Sequence, residues 1–434
     1  MCPAKKQRGY RMKIVVVGGG WAGCAAALAA AKSGAEVTLL ERTDMLLGTG
    51  LVGGIMRNNA RFTAAEEMTA LGGGELFGLA DACLRHKSVS FAGHEHADLY
   101  DIAHMPGAVE KRLAKAGVKV VMPARVHRAD AEKGRVLRVH AGDENAYEAD
   151  AFVDATGTFG PMNNCTKHGN GCVMCVMRCP SFGGRVSLAG LAGVKEKTGV
   201  REGGALGSMS GACKLMKDSL SEELQARLAR EGVLAVPLPP DLSTNRLSRK
   251  ACQQYALEAF HENLIVLDTG HAKLMTPFLE LDTLHQIPGF ENARYEDPYA
   301  GGLGNSMRFF DMAPRDDALH VTGLENVFCA GEKAGPLVGH TEAIATGALA
   351  GHNAARCALQ LAPLILPRSL AVGEAIAYSR EKTAEDAGLS LRFTFSGSVL
   401  LERLTELNLY TTDISAIQKR VADAGLINAL ARFA

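Results

Sequence analysis

The chain has little of what would tie it to a membrane, a secretory route or a nucleic-acid backbone. Its 434 residues carry 47 Lys and Arg against 47 Asp and Glu, so no bulk field steers it toward phosphate or lipid. The opening MCPAKKQRGYRMKIVVV is basic but lacks an apolar stretch long enough for a secretory signal. The small-residue run at 22–31 is too short to cross a bilayer and stops at Lys32. No internal repeat or low-complexity tract is visible. These shortages predict a cytoplasmic protein with neither a membrane nor a nucleic-acid partner. Aromatic residues make up 6% and include one tryptophan, Trp21, so that residue's position is informative. Glycine is plentiful at 48 residues, implying many tight turns and close backbone approaches. At this length a single core is not expected to suffice, and two or three domains follow.

The first of the glycines are organised. Residues 13–17, KIVVV, read as a buried parallel strand. GGGWAG follows, with Gly18, Gly20 and Gly23 at the G-x-G-x-x-G spacing. An alanine-rich helix then runs to Gly34, and a second strand, EVTLL, ends at Glu41. Gly18 makes the turn, Gly20 admits a pyrophosphate to the backbone and Gly23 lets helix pack on strand. The helix start holds phosphates, and Glu41 is placed for a ribose diol. Two later segments extend the pattern. Residues 150–159, DAFVDATGTF, form a strand entering a small-residue turn, with VKVVM and RVLRVH before it as strands of a small meander. Residues 323–356 give a strand, the turn Ala330-Gly331-Glu332 and a helix made largely of Ala and Gly. A nucleotide fold completed by a strand and helix some three hundred residues downstream predicts a two-dinucleotide flavoprotein. Its late helix aims its N-terminus at the flavin.

On these segments the chain resembles the flavoprotein family of the tRNA-modifying enzymes GidA (MnmG) and TrmFO. ATGTF at 155–159, IPGFENARYEDP at 287–298, residues 323–356 and GGIMRNNARFTAAEEMTALGG at 53–73 have counterparts there, in the same order. The resemblance implies an α/β fold with noncovalently bound FAD and a homodimer. It also implies an FAD-contacting set that adds Trp21, Ala22, Arg42, Gly53, Gly54, Ile55, Val126, Ala155, Thr156, Gly157, Gly331, Glu332, Gly339, Thr341 and Ala343. There are departures too. The loop GLVGGIMRNN lacks the cysteine of TrmFO, which weighs against folate-dependent methyl transfer. The segment after Gln360 is shorter than the tRNA-gripping region of GidA. From Pro367 onward it holds eight basic and eight acidic residues, where a phosphate-binding surface shows a basic excess. Where the GidA pattern has tyrosine, this chain has His340, either a proton shuttle for substrate or flavin or a polar helix-start residue.

The most unusual stretch is NCTKHGNGCVMCVMRCPSFGG, an insertion relative to GidA. Cys165, Cys172, Cys175 and Cys179 lie within fifteen residues, of eleven cysteines in all. The spacing C-x2-C-x3-C-P matches the tail of a bacterial ferredoxin run, pointing to a [4Fe-4S] cluster beside the flavin, with Cys213 the substitute for Cys165. A structural zinc site, a Cys172/Cys175 dithiol and simple packing stay open.

Other residues carry weaker signals. Arg308 and Arg315 suit a substrate carboxylate or phosphate, or surface pairs with Asp311 and Asp316. His271 and Lys273 are minor candidates. Glu342 reads as a first-turn acid, and Cys24 and Cys329 as packing. The expected organisation is an FAD-binding domain from 1–160 and 320–360, and a largely helical, cysteine-containing substrate or cap region at 161–319. Helices at 361–434 would pack outside. The expected enzyme exchanges two electrons with a small substrate or NAD(P)H, which docks transiently since no second glycine fingerprint exists. It passes single electrons through the cluster to a carrier protein. An RNA-modifying flavoprotein and a non-catalytic electron-transfer subunit are the alternatives.

Overall fold

The computed structural model describes residues 11–142, 145–157, 178–210, 213–243, 245, 247–250, 252–275, 279–296 and 306–431. Strand β1 (Lys13–Val17) is buried at four of its five positions. It leads through the glycine turn into α1 (Trp21–Lys32) and then β2 (Glu36–Leu40). Three strands complete the sheet: β3 (Lys119–Val121), β4 (Ala151–Asp154) and, far downstream, β5 (Val327–Cys329). Their order is β5-β4-β1-β2-β3, every pair parallel, with Ile14 opposite Ala151 and Val37. Near-continuous Val, Ile and Leu suit a sheet covered on both faces.

Helix α2 (His340–Ala358) lies against α1, and small residues decide how closely. A Cβ added at Gly347 would fall 2.2 Å from the Ala22 carbonyl oxygen, and one at Gly351 would fall 2.1 Å from that of Ala26. The alanine and glycine bias of both helices is therefore a packing requirement.

Between β4 and β5 the chain builds a four-stranded antiparallel sheet in the order Cys213–Leu215, Ala272–Leu274, Asn263–Asp268, Val233–Pro237. The helical expectation holds for Glu222–Glu231, which Ser221 caps at 3.3 Å through the Leu224 N–H and Gly232 ends at φ 74°. It fails for RKACQQYALEAFHENL. There the chain makes short turns, Gln253–Tyr255 and Ala259–Glu262, and enters a strand. The apolar run Leu264–Leu267 wins because a buried strand between two neighbours satisfies its backbone. VKVV is also not a meander strand but the parallel edge β3. RVLRVH does join a meander, with Val126–Glu132 and Asn145–Glu148.

The C-terminal segment is helical at Ala371–Ala384, Ser398–Glu406 and Ile414–Asp423, yet it is not peripheral. Glu67, fully buried, accepts the Ala371 and Val372 N–H groups at 2.9 and 3.0 Å and Arg420 Nη1 at 3.2 Å. It thereby caps the first of these helices. Among the described residues no helix is long and apolar enough to cross a membrane.

Candidate functional site: a two-part cleft at the glycine turn

The glycine turn is tight on one side and open on the other. A Cβ on Gly23 would lie 1.7 Å from the Gly18 carbonyl oxygen, so helix and strand need glycine there. Gly20 has nothing within 4 Å of its Cβ position and faces the cleft. Neither Gly20, before α1, nor Gly339, before α2, has a side chain to cap its helix. Two helix N-termini therefore present backbone N–H groups at one cleft.

That cleft has two adjoining compartments, of about 1050 and 890 Å³. Gly20, Ala155, Gly157 and Glu332 border both. Gly18, Glu41, Arg42, Val126 and Thr156 line the inner compartment under the ends of β1 and β2. Trp21, Ala22, Gly53 and Ile55 line the outer one, together with Gly331, Gly339, His340 and Ala343. Three expected contacts are not on either wall. Gly23 sits behind the turn. Gly54 packs on Thr269, whose Cγ2 is 2.4 Å from the glycine's Cβ position, and Thr341 is fully buried. The Trp21 indole N–H is buried without a partner among the described residues.

Glu41 is stapled to its own loop. One carboxylate oxygen accepts the Gly19 N–H at 2.7 Å, and the other accepts the Thr43 N–H and hydroxyl at 2.7 and 2.9 Å. The oxygen that accepts Gly19 keeps acceptor capacity for a diol hydroxyl, whereas the other already accepts two hydrogen bonds. Arg42 donates to the Gly183 carbonyl at 2.5 Å.

His340 stands in the outer compartment, its Nδ1 3.3 Å from the Tyr100 hydroxyl and its ring 5.7 Å from that of Trp21. Burial, reinforced by the positive charges of Arg61, Lys273 and Arg308, holds the imidazole well below its usual pKa. The ring is therefore neutral and, with its imidazolium disfavoured, a weak base that serves as a hydrogen-bonding group. Arg308 borders both compartments and is ion-paired with Glu332, not with Asp311. Arg315 is buried and spends its guanidinium on the Ala334, Asp316 and Ile376 carbonyls and the Ser379 hydroxyl, so its role is structural. His271 pairs with Glu296. Cys24 and Cys329 are buried in the core, as expected.

Three cations of the outer compartment escaped sequence reasoning or ranked low in it. Arg61 is held by Glu342. Lys250 and Lys273, 8% and 6% exposed, also line that compartment. A lysine within a short strand normally reads as solvent-facing, so no local signal marks Lys273.

Of the four proposed cluster ligands, Cys165, Cys172 and Cys175 lie outside the described residues. Cys179 is buried at the start of the one-turn helix Cys179–Phe182. The chain beside it is pinned at the inner compartment, through Arg178 to Asp44 at 2.6 Å and Arg125 to the Gly184 carbonyl at 2.9 Å. Cys213, the suggested substitute ligand, is buried in the four-stranded sheet, where burial pushes its thiol up to about 12. Among the described residues no group of three or more His, Cys, Asp or Glu could hold a metal ion.

An open glycine turn, an acid beyond β2, two uncapped helix starts and a long two-part cleft fit FAD. The class they define is the FAD-dependent oxidoreductases. The comparisons narrow it. The model of the family described as glucose inhibited division protein A matches residues 13–276 and 244–362. The chain belongs to that family, GidA. Its structure is similar to Aquifex aeolicus GidA in the form II crystal, with a TM-score of 0.61 and 16% identity over 95% of this chain and 76% of that one. For the form I crystal the values are 0.58 and 15%, over 95% and 79%.

Proposed function

We propose that the chain binds FAD along the cleft, with the dinucleotide end in the inner compartment and the redox-active ring in the outer one. The substrate would meet the ring beside His340. FAD supplies a two-electron acceptor and donor. Gly18, Gly20 and the start of α1 would hold its phosphates and Glu41 its ribose, while His340, the catalytic candidate, would orient the reacting group by hydrogen bonding as a neutral imidazole. Residues 1–160 and 320–360 would form the FAD-binding domain, 161–319 the substrate region and 361–434 a helical region. The observation that carries this reading is the placing of both uncapped helix starts on one continuous cleft.

Membership of the GidA family supports modification of a tRNA uridine as the reaction served. It does so against the neutral charge of the segment after Pro367, which had weighed against RNA. The iron–sulfur relay gains no such support and drops out of the reading. Titration of the FAD-loaded protein with an unmodified tRNA transcript tests the RNA reading. The expected outcome is binding at least about tenfold tighter than to an unrelated RNA of equal length, weakening steeply with salt. Equal, weak binding to both RNAs would contradict it.

A second reading, a small-molecule oxidoreductase, is favoured by one observation. The outer compartment carries buried lysines that no carboxylate among the described residues neutralises, and its wall is otherwise largely apolar.

A further inference from the structure

Lys250 and Lys273 border the outer compartment and not the inner one. Each is more than nine-tenths buried, and each has carbonyl oxygens as its hydrogen-bond partners. Lys250 Nζ donates to Tyr255 and Met275 at 3.0 and 3.2 Å. Lys273 Nζ donates to Val52 at 2.7 Å and also to Gly53. An ammonium has three donors, so each keeps one beyond these bonds. Neither has a carboxylate partner among the described residues, although burying an unpaired cation is costly.

The other charges of the compartment do not help. Glu332 is taken by Arg308, and Glu342 holds Arg61. His340 is neutral. Cys252 and Tyr255 are the remaining titratable groups on the wall, and burial raises the Tyr255 pKa. Lys214 stands behind Lys273 as a further positive charge. Burial draws Lys273 down to about 7 and Lys250 down to about 8. Two amines near neutrality with unspent donors are a site short of an anion. The surrounding wall, with Val52, Ile55, Val338 and Met275, offers a mainly apolar body its place.

We propose that Lys250 and Lys273 form an anion subsite and that the outer compartment takes a small organic carboxylate with a mainly apolar body. The proposal rests on the reading of this compartment as the place where substrate meets flavin. The lysines border only the outer compartment, so the carboxylate would sit apart from the dinucleotide phosphates of the inner one.

The test uses the FAD-loaded full chain and follows flavin absorbance and calorimetry on adding acetate, benzoate or cinnamate, each beside its amide. Benzoate and cinnamate are expected to bind at least about tenfold more tightly than their amides, because the charge is what the lysines read. The preference should fade between about pH 6 and about pH 9, as the amines lose their protons while the carboxylate stays ionised. Lys273→Met and Lys250→Met should each cost about tenfold or more in carboxylate affinity and markedly less in amide affinity, so that the preference for the carboxylate collapses. The flavin spectrum of each variant reports whether the cleft is intact, and the pH and amide arms on the unaltered protein need no variant. If none of the three carboxylates is preferred over its amide, or the preference ignores both pH and the lysines, the proposal is overturned. FAD that binds with no such preference overturns this inference alone, whereas failure to bind FAD overturns the reading beneath it.

Discussion

Gly20→Val is expected to yield a folded protein that has lost its flavin. The backbone there is extended, φ −69° and ψ −177°, which valine adopts without strain. Nothing lies within 4 Å of the Cβ position, so no protein atom is displaced. The new side chain instead enters the cleft at a point bordering both compartments, where the dinucleotide must approach the backbone. FAD affinity should fall at least about a hundredfold, or about 2.7 kcal/mol, while the chain without FAD keeps its melting temperature. Gly23→Val is the contrast. Its side chain would collide with the Gly18 carbonyl, so that variant should lose stability whether or not FAD is present. Equal flavin content in Gly20→Val and the unaltered protein would mean that the turn does not carry the cofactor.

Arg61→Met should be among the most destabilising single replacements. Arg61 Nε is 3.1 Å from a Glu342 oxygen that also accepts the Thr394 hydroxyl and the Phe395 N–H, each at 2.8 Å. The guanidinium further donates to the Val338 carbonyl at 3.2 Å and to Thr394 at 3.1 Å. Both partners are buried, so removing the arginine strands the Glu342 carboxylate, at a cost of about 3–5 kcal/mol in urea unfolding. The double variant Arg61→Met/Glu342→Leu should recover at least about 1 kcal/mol of that loss. The network joins the helix Arg61–Ala70, the first turn of α2 and residues 394–396. Flavin retention should therefore fall with stability in the single variant. Additive losses in the double variant would show the pair to be uncoupled.

How far the sequence spoke depended on whether each function was local. The strand, turn, helix and acid around Gly18–Glu41 announce themselves because each must be contiguous to work. The parallel sheet and the late helix followed from the same logic. The substrate wall did not. Lys273 meets the cleft from an antiparallel sheet whose strand pairing no short pattern specifies, and Lys250 from the irregular chain after the short turn Leu247–Arg249. The helical reading of RKACQQYALEAFHENL failed for a related reason. Its apolar spacing suited a helix, but the strand Asn263–Asp268 that follows claims the core position. Glu342 illustrates a third limit. A first-turn acid on a helix is ordinary in sequence, and only its placement against Arg61 and Phe395 makes it a cross-link. The cysteine run was the loudest local signal, and the one member described, Cys179, starts a one-turn helix on a segment pinned by Arg178 and Arg125.

The proposed function stands on FAD being held in the cleft at the glycine turn. The most direct measurement is the flavin released on denaturing the purified full-length protein, identified by mass and counted against protein. FAD is expected at about one per chain, or rapid uptake of added FAD to that level, with Gly20→Val near zero in both. A chain that carries no flavin and takes up none would contradict it.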